Sequence, residues 1–112
     1  MDILETSKVL SDRTALRILA ATQVKPCTAQ DLSKDLETPL AGTYKKLKEL
    51  EESGLIEPLD RILTSYGKRV TRYSSKVSGF FIEFYNNELR VTLETSSNDG
   101  PIRLKWNPLL NN

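Results

Sequence analysis

Residues Thr28–Ile56 read TAQDLSKDLETPLAGTYKKLKELEESGLI, and two helices are legible in them. Thr28 can open the first, since its side-chain oxygen accepts a free amide hydrogen of the first turn. Asp31, three residues on, makes a weaker form of the reciprocal capping box. The apolar positions of this helix are Ala29, Leu32 and Leu36. Glu37-Thr38-Pro39 reads as a turn, with Pro39 at the first position of the next helix, where a missing N–H costs nothing. That second helix, Pro39 to Ser53, carries Thr43, Leu47 and Leu50 on one side and closes at Gly54, a natural left-handed C-terminal residue.

Upstream, Ile3 to Leu10 has helical spacing, and Ser11-Asp12 can cap a further helix whose apolar stripe is Ala15, Leu16, Ile18, Leu19 and Ala20. Val24-Lys25-Pro26 connects it to Thr28, because a residue before proline avoids the helical region. Downstream of Gly54 the apolar period shortens from about 3.6 to about 2. Leu55-Ile56, Leu59 and Ile62-Leu63 lead into a strand, Tyr66-Gly67-Lys68 makes a turn, and Arg69 to Ser75 returns. Phe80, Ile82 and Phe84 alternate up to Asn86-Asn87, a tight hairpin turn, and Leu89, Val91 and Leu93 alternate back. Ser96 to Gly100 is a loop, Ile102, Leu104 and Trp106 form a third alternating set, and the tail from Asn107 to Asn112 takes no assignment.

With 112 residues, the chain has room for one compact domain. The reading is an α+β winged helix-turn-helix: residues 1–76 form the helix-turn-helix half, with N-terminal helices and a basic β-wing. Residues 77–112 form a C-terminal β-hairpin extension, packed on the same domain or used for dimerisation. No apolar run of about 18 residues exists to span a membrane, and the N-terminus mixes both charge signs instead of opening on the apolar core of a signal peptide. One cysteine, Cys27, cannot close an internal disulfide, which fits a reducing cytoplasm. Its place between Pro26 and the Thr28 cap suits a small, half-buried residue. The absence of histidine excludes a histidine base, a Ser-His-Asp triad and any histidine-ligated metal. No catalytic constellation and no cofactor motif stands out, so an enzyme is not expected.

Net charge is only +1, but its distribution is uneven. Arg61, Lys68, Arg69, Arg72 and Lys76 follow one another with no acidic residue between them, a +5 stripe on an otherwise acidic chain. Such a stripe is the electrostatic footprint of a nucleic-acid partner; a solvated strand pair would carry it equally well. On the helix from Pro39 to Ser53, at 100° per residue, Ala41, Lys45 and Lys48 lie opposite the apolar side, with Tyr44 on the flank. Ala41 and Gly42 permit close approach to a groove wall, and the lysines offer contacts to phosphates or guanine acceptors. The bland reading pairs Lys45 with Glu49 and Lys48 with Glu52. Yet the lysines precede the glutamates, against the preference of the helix dipole for acids at its N-terminal end.

With these residues in view, the run LSKDLETPLAGTYKKLKELEESGLI, Leu32–Ile56, resembles ArsR-type winged-helix regulators, especially archaeal ones, and LSDRTALRIL, Leu10–Leu19, is similar to the family's preceding helix. The resemblance covers roughly residues 8 to 75. It implies a transcriptional regulator that binds double-stranded DNA as a homodimer on a pseudo-palindromic operator. The DNA-facing positions it implies are Ala41, Gly42, Tyr44, Lys45 and Lys48, with a wing at Tyr66 through Arg69; Lys68, Arg69 and Arg72 would meet phosphates. The chain departs from the family's metal sensors in lacking Cys/His clusters, and ends in strands where the family commonly has a dimerising helix. A winged-helix module that binds protein and not DNA is the alternative from another class.

Overall fold

A computed structural model describes residues 2–96 and 98–110. Ser97 of the expected loop and Asn111-Asn112 of the tail lie outside the described residues. The element order is α1 (Ile3–Leu10), α2 (Arg13–Val24), β1 (Cys27–Thr28), α3 (Ala29–Asp35), α4 (Leu40–Glu52), β2 (Ile56–Leu63), β3 (Arg69–Ser75), β4 (Val77–Tyr85), β5 (Glu88–Thr95) and β6 (Ile102–Trp106). The α+β reading holds: the described residues form four helices and two antiparallel sheets, ordered β1-β3-β2 and β4-β5-β6, with β1 between α2 and α3.

The caps form as their chemistry dictates. Asp12 accepts the Ala15 N–H at 2.8 Å, opening α2. Thr28 and Asp31 make the full reciprocal box, with Asp31 N–H on Thr28 Oγ1 at 3.0 Å and Thr28 N–H on Asp31 Oδ2 at 3.1 Å. Pro39 is the residue just outside α4 instead of its first helical position, with extended ψ of 140°. Both helices of the pair end in the same motif. After α4, Leu55 N–H reaches the Leu50 carbonyl at 2.9 Å and Gly54 N–H the Glu51 carbonyl at 3.0 Å, with Gly54 at φ +73°. After α3, Thr38 N–H reaches the Ser33 carbonyl at 3.0 Å, and Glu37 takes the left-handed position at φ +54°. A side chain there is strained where glycine would not be.

Two details depart from the sequence reading. Cys27-Thr28 form a two-residue strand on β3, pairing Cys27 with Tyr73 and Thr28 with Arg72. Cys27 is buried, not half-buried. The third alternating set forms β6 as read, with Leu89, Val91 and Leu93 opposite Trp106, Leu104 and Ile102.

One apolar core joins both halves. Ile3, Leu10, Ile18, Leu32, Leu47, Leu50 and Leu55 belong to the same buried cluster as Val77, Val91 and Leu93. Helix α1 lies against β5 and β6. Backbone and side-chain bonds cross the junction: Lys76 N–H donates to the Leu55 carbonyl at 2.9 Å, and Gln23 Nε2 to the Val77 carbonyl at 3.0 Å.

Two outcomes follow. Val91→Ala, which deletes two fully buried methyl groups, should cost about 2 kcal/mol. Helical circular dichroism and Trp106 fluorescence should then report the same lowered denaturation midpoint; separate midpoints would show two independent units. Glu37→Gly should relieve the left-handed strain and raise stability by about 1 kcal/mol in urea unfolding.

Candidate nucleic-acid interface

Helix α4 is held by its inward face and by two polar ties. Thr43, Leu47 and Leu50 are buried. Thr43 Oγ1 donates to the Pro39 carbonyl at 3.0 Å and lies 2.8 Å from Thr38 Oγ1, locking the turn that aims the helix. Lys46 reaches Asp12 at 3.4 Å and Glu49 at 3.0 Å, docking α4 against the start of α2. The hydrogen bond to Glu49 holds the Lys46 ammonium above its ordinary pKa. Asp12 is held below its own, chiefly by the Ala15 N–H and further by Lys46.

Lys46 is thus the structural lysine beside Lys45 and Lys48. Among the described residues, neither Lys45 nor Lys48 makes an ion pair, so the anticipated bonds to Glu49 and Glu52 are not formed. Both project from the exposed face of α4 with Ala41, Gly42 and Tyr44. The opposition of charge and dipole noted in the sequence therefore stays uncompensated on this face.

The wing is the β2–β3 hairpin. Its turn is closed by Thr64, whose carbonyl accepts from Gly67 at 3.0 Å and whose Oγ1 accepts from Lys68 at 3.1 Å. Gly67 takes φ +79°, open to glycine at little cost. Tyr66 stands at the tip, 92% exposed, with Lys68 and Arg69 exposed behind it.

Helix and wing meet across a cleft of about 180 Å³ lined by Gln30, Tyr44, Arg61, Arg69, Thr71 and Tyr73, among others. Gln30 Nε2 donates to Tyr44 Oη at 3.2 Å, and Arg61 Nη2 donates to the Arg69 carbonyl at 3.4 Å. The cleft brings two guanidinium-bearing residues on neighbouring strands beside the exposed side of the helix pair. Gln30 and Arg61 were not among the candidate site residues. Arg61 had a signal, being the first cation of the stripe; Gln30 had only its exposed place one residue after Ala29.

Arg72 is corrected. Its guanidinium grips Asp60 with Nε at 2.7 Å from Oδ1 and Nη2 on Oδ2. That pair holds the Asp60 carboxyl below its usual range and the Arg72 guanidinium above its own. Asp60 immediately precedes the stripe in sequence, but antiparallel register places it opposite Arg72. Arg61, Lys68 and Arg69 therefore carry the positive charge of the outer wing.

The Cys27 thiol donates to the Lys25 carbonyl at 3.2 Å, and burial pushes its pKa up, which disfavours a reactive thiolate. Among the described residues, no group of three or more His, Cys, Asp or Glu gathers to hold a metal, and no helix is long and apolar enough to cross a membrane.

A family model described as a helix-turn-helix domain matches residues 10–58. The chain carries a helix-turn-helix. The matched segment runs from the end of α1 into β2, so it includes α3, α4 and the turn locked by Thr43. No curated protein matches. Among solved structures, the chain is similar to one described as the ROK family transcriptional regulator, a homolog of E. coli MLC protein. Identity is 22% and TM-score 0.45, over 81% of this chain and 24% of that one. The present chain thus spans about a quarter of that protein's length.

The Asp12 ties predict a graded response. Asp12→Ala loses the α2 cap and the Lys46 partner and should cost about 1 kcal/mol in denaturant unfolding. Because the folded pKa of Asp12 lies below the ordinary value of an aspartate, its contribution is complete above that ordinary value and fades as pH falls below it. Asp12→Asn, which caps without titrating, should therefore narrow the difference in stability between neutral pH and about pH 3.

Proposed function

We propose that this protein is a transcriptional regulator that binds double-stranded DNA, of the ArsR-like type. In this reading α4 enters the major groove and the wing follows the phosphate backbone, and two copies act on a pseudo-palindromic site in the cytoplasm. The observation that carries it is the pair of unpartnered lysines, Lys45 and Lys48, on the exposed face of a helix-turn-helix second helix. Arg61 and Arg69 lie beyond Tyr44 across the adjoining cleft.

The chemistry assigns different tasks to the two parts. In α4, Ala41 and Gly42 leave room for the helix N-terminus to approach base edges, and Lys45 and Lys48 supply point charges. The helix has no arginine, so it lacks the rigid fork that reads guanine through two parallel bonds. Much of the affinity therefore comes from phosphates, with Lys68 and Arg69 at the wing turn as the principal contacts and Tyr66 leading the tip. Arg72 contributes less, because Asp60 already offsets its charge. The proposed role is stoichiometric binding and not catalysis.

Lys45→Ala and Arg69→Ala should each weaken duplex binding and reduce the slope of log affinity against log salt by about one unit. Arg72→Ala should change that slope less. Fluorescence anisotropy on genomic and random duplexes over a salt series measures both quantities. Unchanged binding by both Lys45→Ala and Arg69→Ala removes the mechanism.

A further inference from the structure

We infer that the free edge of β4 is the interface for a second copy of this chain, pairing antiparallel with its own equivalent into a continuous six-stranded sheet. This deepens the homodimer of the preceding section by naming its surface, and its test uses no DNA.

Sheet edges present unpaired amides and carbonyls, and proteins normally blunt them with charge, proline or brevity. Among the described residues, three of the four edges are blunted. β1 has two residues; β2 carries Glu57, Pro58, Asp60 and Arg61; β6 is a five-residue strand with Arg103 and Lys105, preceded by Pro101. β4 is different. It runs nine residues, VSGFFIEFY, with no proline and Glu83 as its single charge. It pairs with β5 on one side, and among the described residues no strand pairs with the other.

Backbone geometry says which groups the open edge presents. Asn86 and Asn87 have φ of +50° and +65°, a two-residue turn that closes the Tyr85–Glu88 pair. Hydrogen-bonded pairs alternate from there, so Tyr85, Glu83 and Phe81 direct their amides and carbonyls to β5. Phe80, Ile82 and Phe84 direct theirs outward. These three residues are symmetric about Ile82. Two-fold pairing centred there sets Ile82 against its equivalent and Phe80 against Phe84 of the other copy. Every outward amide and carbonyl of the three then finds a partner.

Charge selects among the registers. Centring on Glu83 would place two carboxylates directly opposite, which is destabilising. Centring on Ile82 puts Glu83 opposite Phe81. The side chains at this edge are left exposed by their own fold: Phe81 60%, Ile82 41%, Phe84 68% and Tyr85 62%. Together they offer on the order of 400 Å² per copy, which with the paired backbones approaches the roughly 1,000 Å² of a small specific interface. A two-fold pair also closes on itself and leaves no sticky strand for further growth.

Sedimentation of the full chain over about 1–100 µM should show a species of twice 12.7 kDa. Ile82→Pro removes an outward N–H without touching the bonds to β5, and Phe84→Lys adds a charge to the edge. Each should raise the dissociation constant at least tenfold with the circular dichroism unchanged. In a Cys27→Ser background, Ile82→Cys should cross-link on mild oxidation, since directly opposed α-carbons lie about 5.5 Å apart. Phe81→Cys, out of register with its equivalent, should not. A monomeric native chain overturns the inference, as does a dimer untouched by Ile82→Pro and Phe84→Lys. DNA binding that fails in a chain that dimerises would count against the regulator reading alone.

Discussion

The reversal after α4 is the constraint on which the rest of the molecule depends. Leu55 N–H reaches back to the Leu50 carbonyl, and both side chains are fully buried. Gly54 makes this possible, since the backbone must enter the left-handed region there for the chain to turn from helix to strand. The closure sets the direction in which β2 leaves, and hence where the wing lies relative to the exposed face of α4. The Leu55 carbonyl then accepts from Lys76, so the same residue ties the helix-turn-helix to the start of the second sheet.

Around that reversal, charge is divided between structure and exposure. Lys46 and Arg72 are engaged by Asp12 and Asp60, and they hold α4 on α2 and β2 on β3. Lys45, Lys48, Lys68 and Arg69 face outward. Exposed ion pairs contribute little stability individually. Their consequence here is to fix which cations remain available to a partner. A chain of net charge +1 can in this way present a positive surface on one side.

The second sheet answers a different need. Its inner face supplies Val77, Val91 and Leu93 to the core, and α1 covers part of what remains. The cover is incomplete: α1 lies against β5 and β6, and Phe81, Phe84 and Tyr85 of β4 stay exposed. Apolar side chains near the Asn86-Asn87 turn remain in solvent, beside the free edge of β4.

Local chemistry made much of this legible in the residues alone. The caps at Asp12 and Thr28, the stop at Gly54, the inward stripe Thr43-Leu47-Leu50 and the two hairpin turns depend on groups a few residues apart. They are legible because a hydrogen bond to the next turn does not wait for the fold. Pairings across strands were not legible. Asp60 opposite Arg72, Cys27-Thr28 on β3, and the meeting of Gln30 and Tyr44 with Arg61 and Arg69 each require a register that tertiary packing selects. The amino-acid order by itself determined where helices begin and end and which faces are apolar. Only the folded chain decided which lysines and arginines stay unpaired, because an ion pair depends on distance in space and not on spacing along the chain.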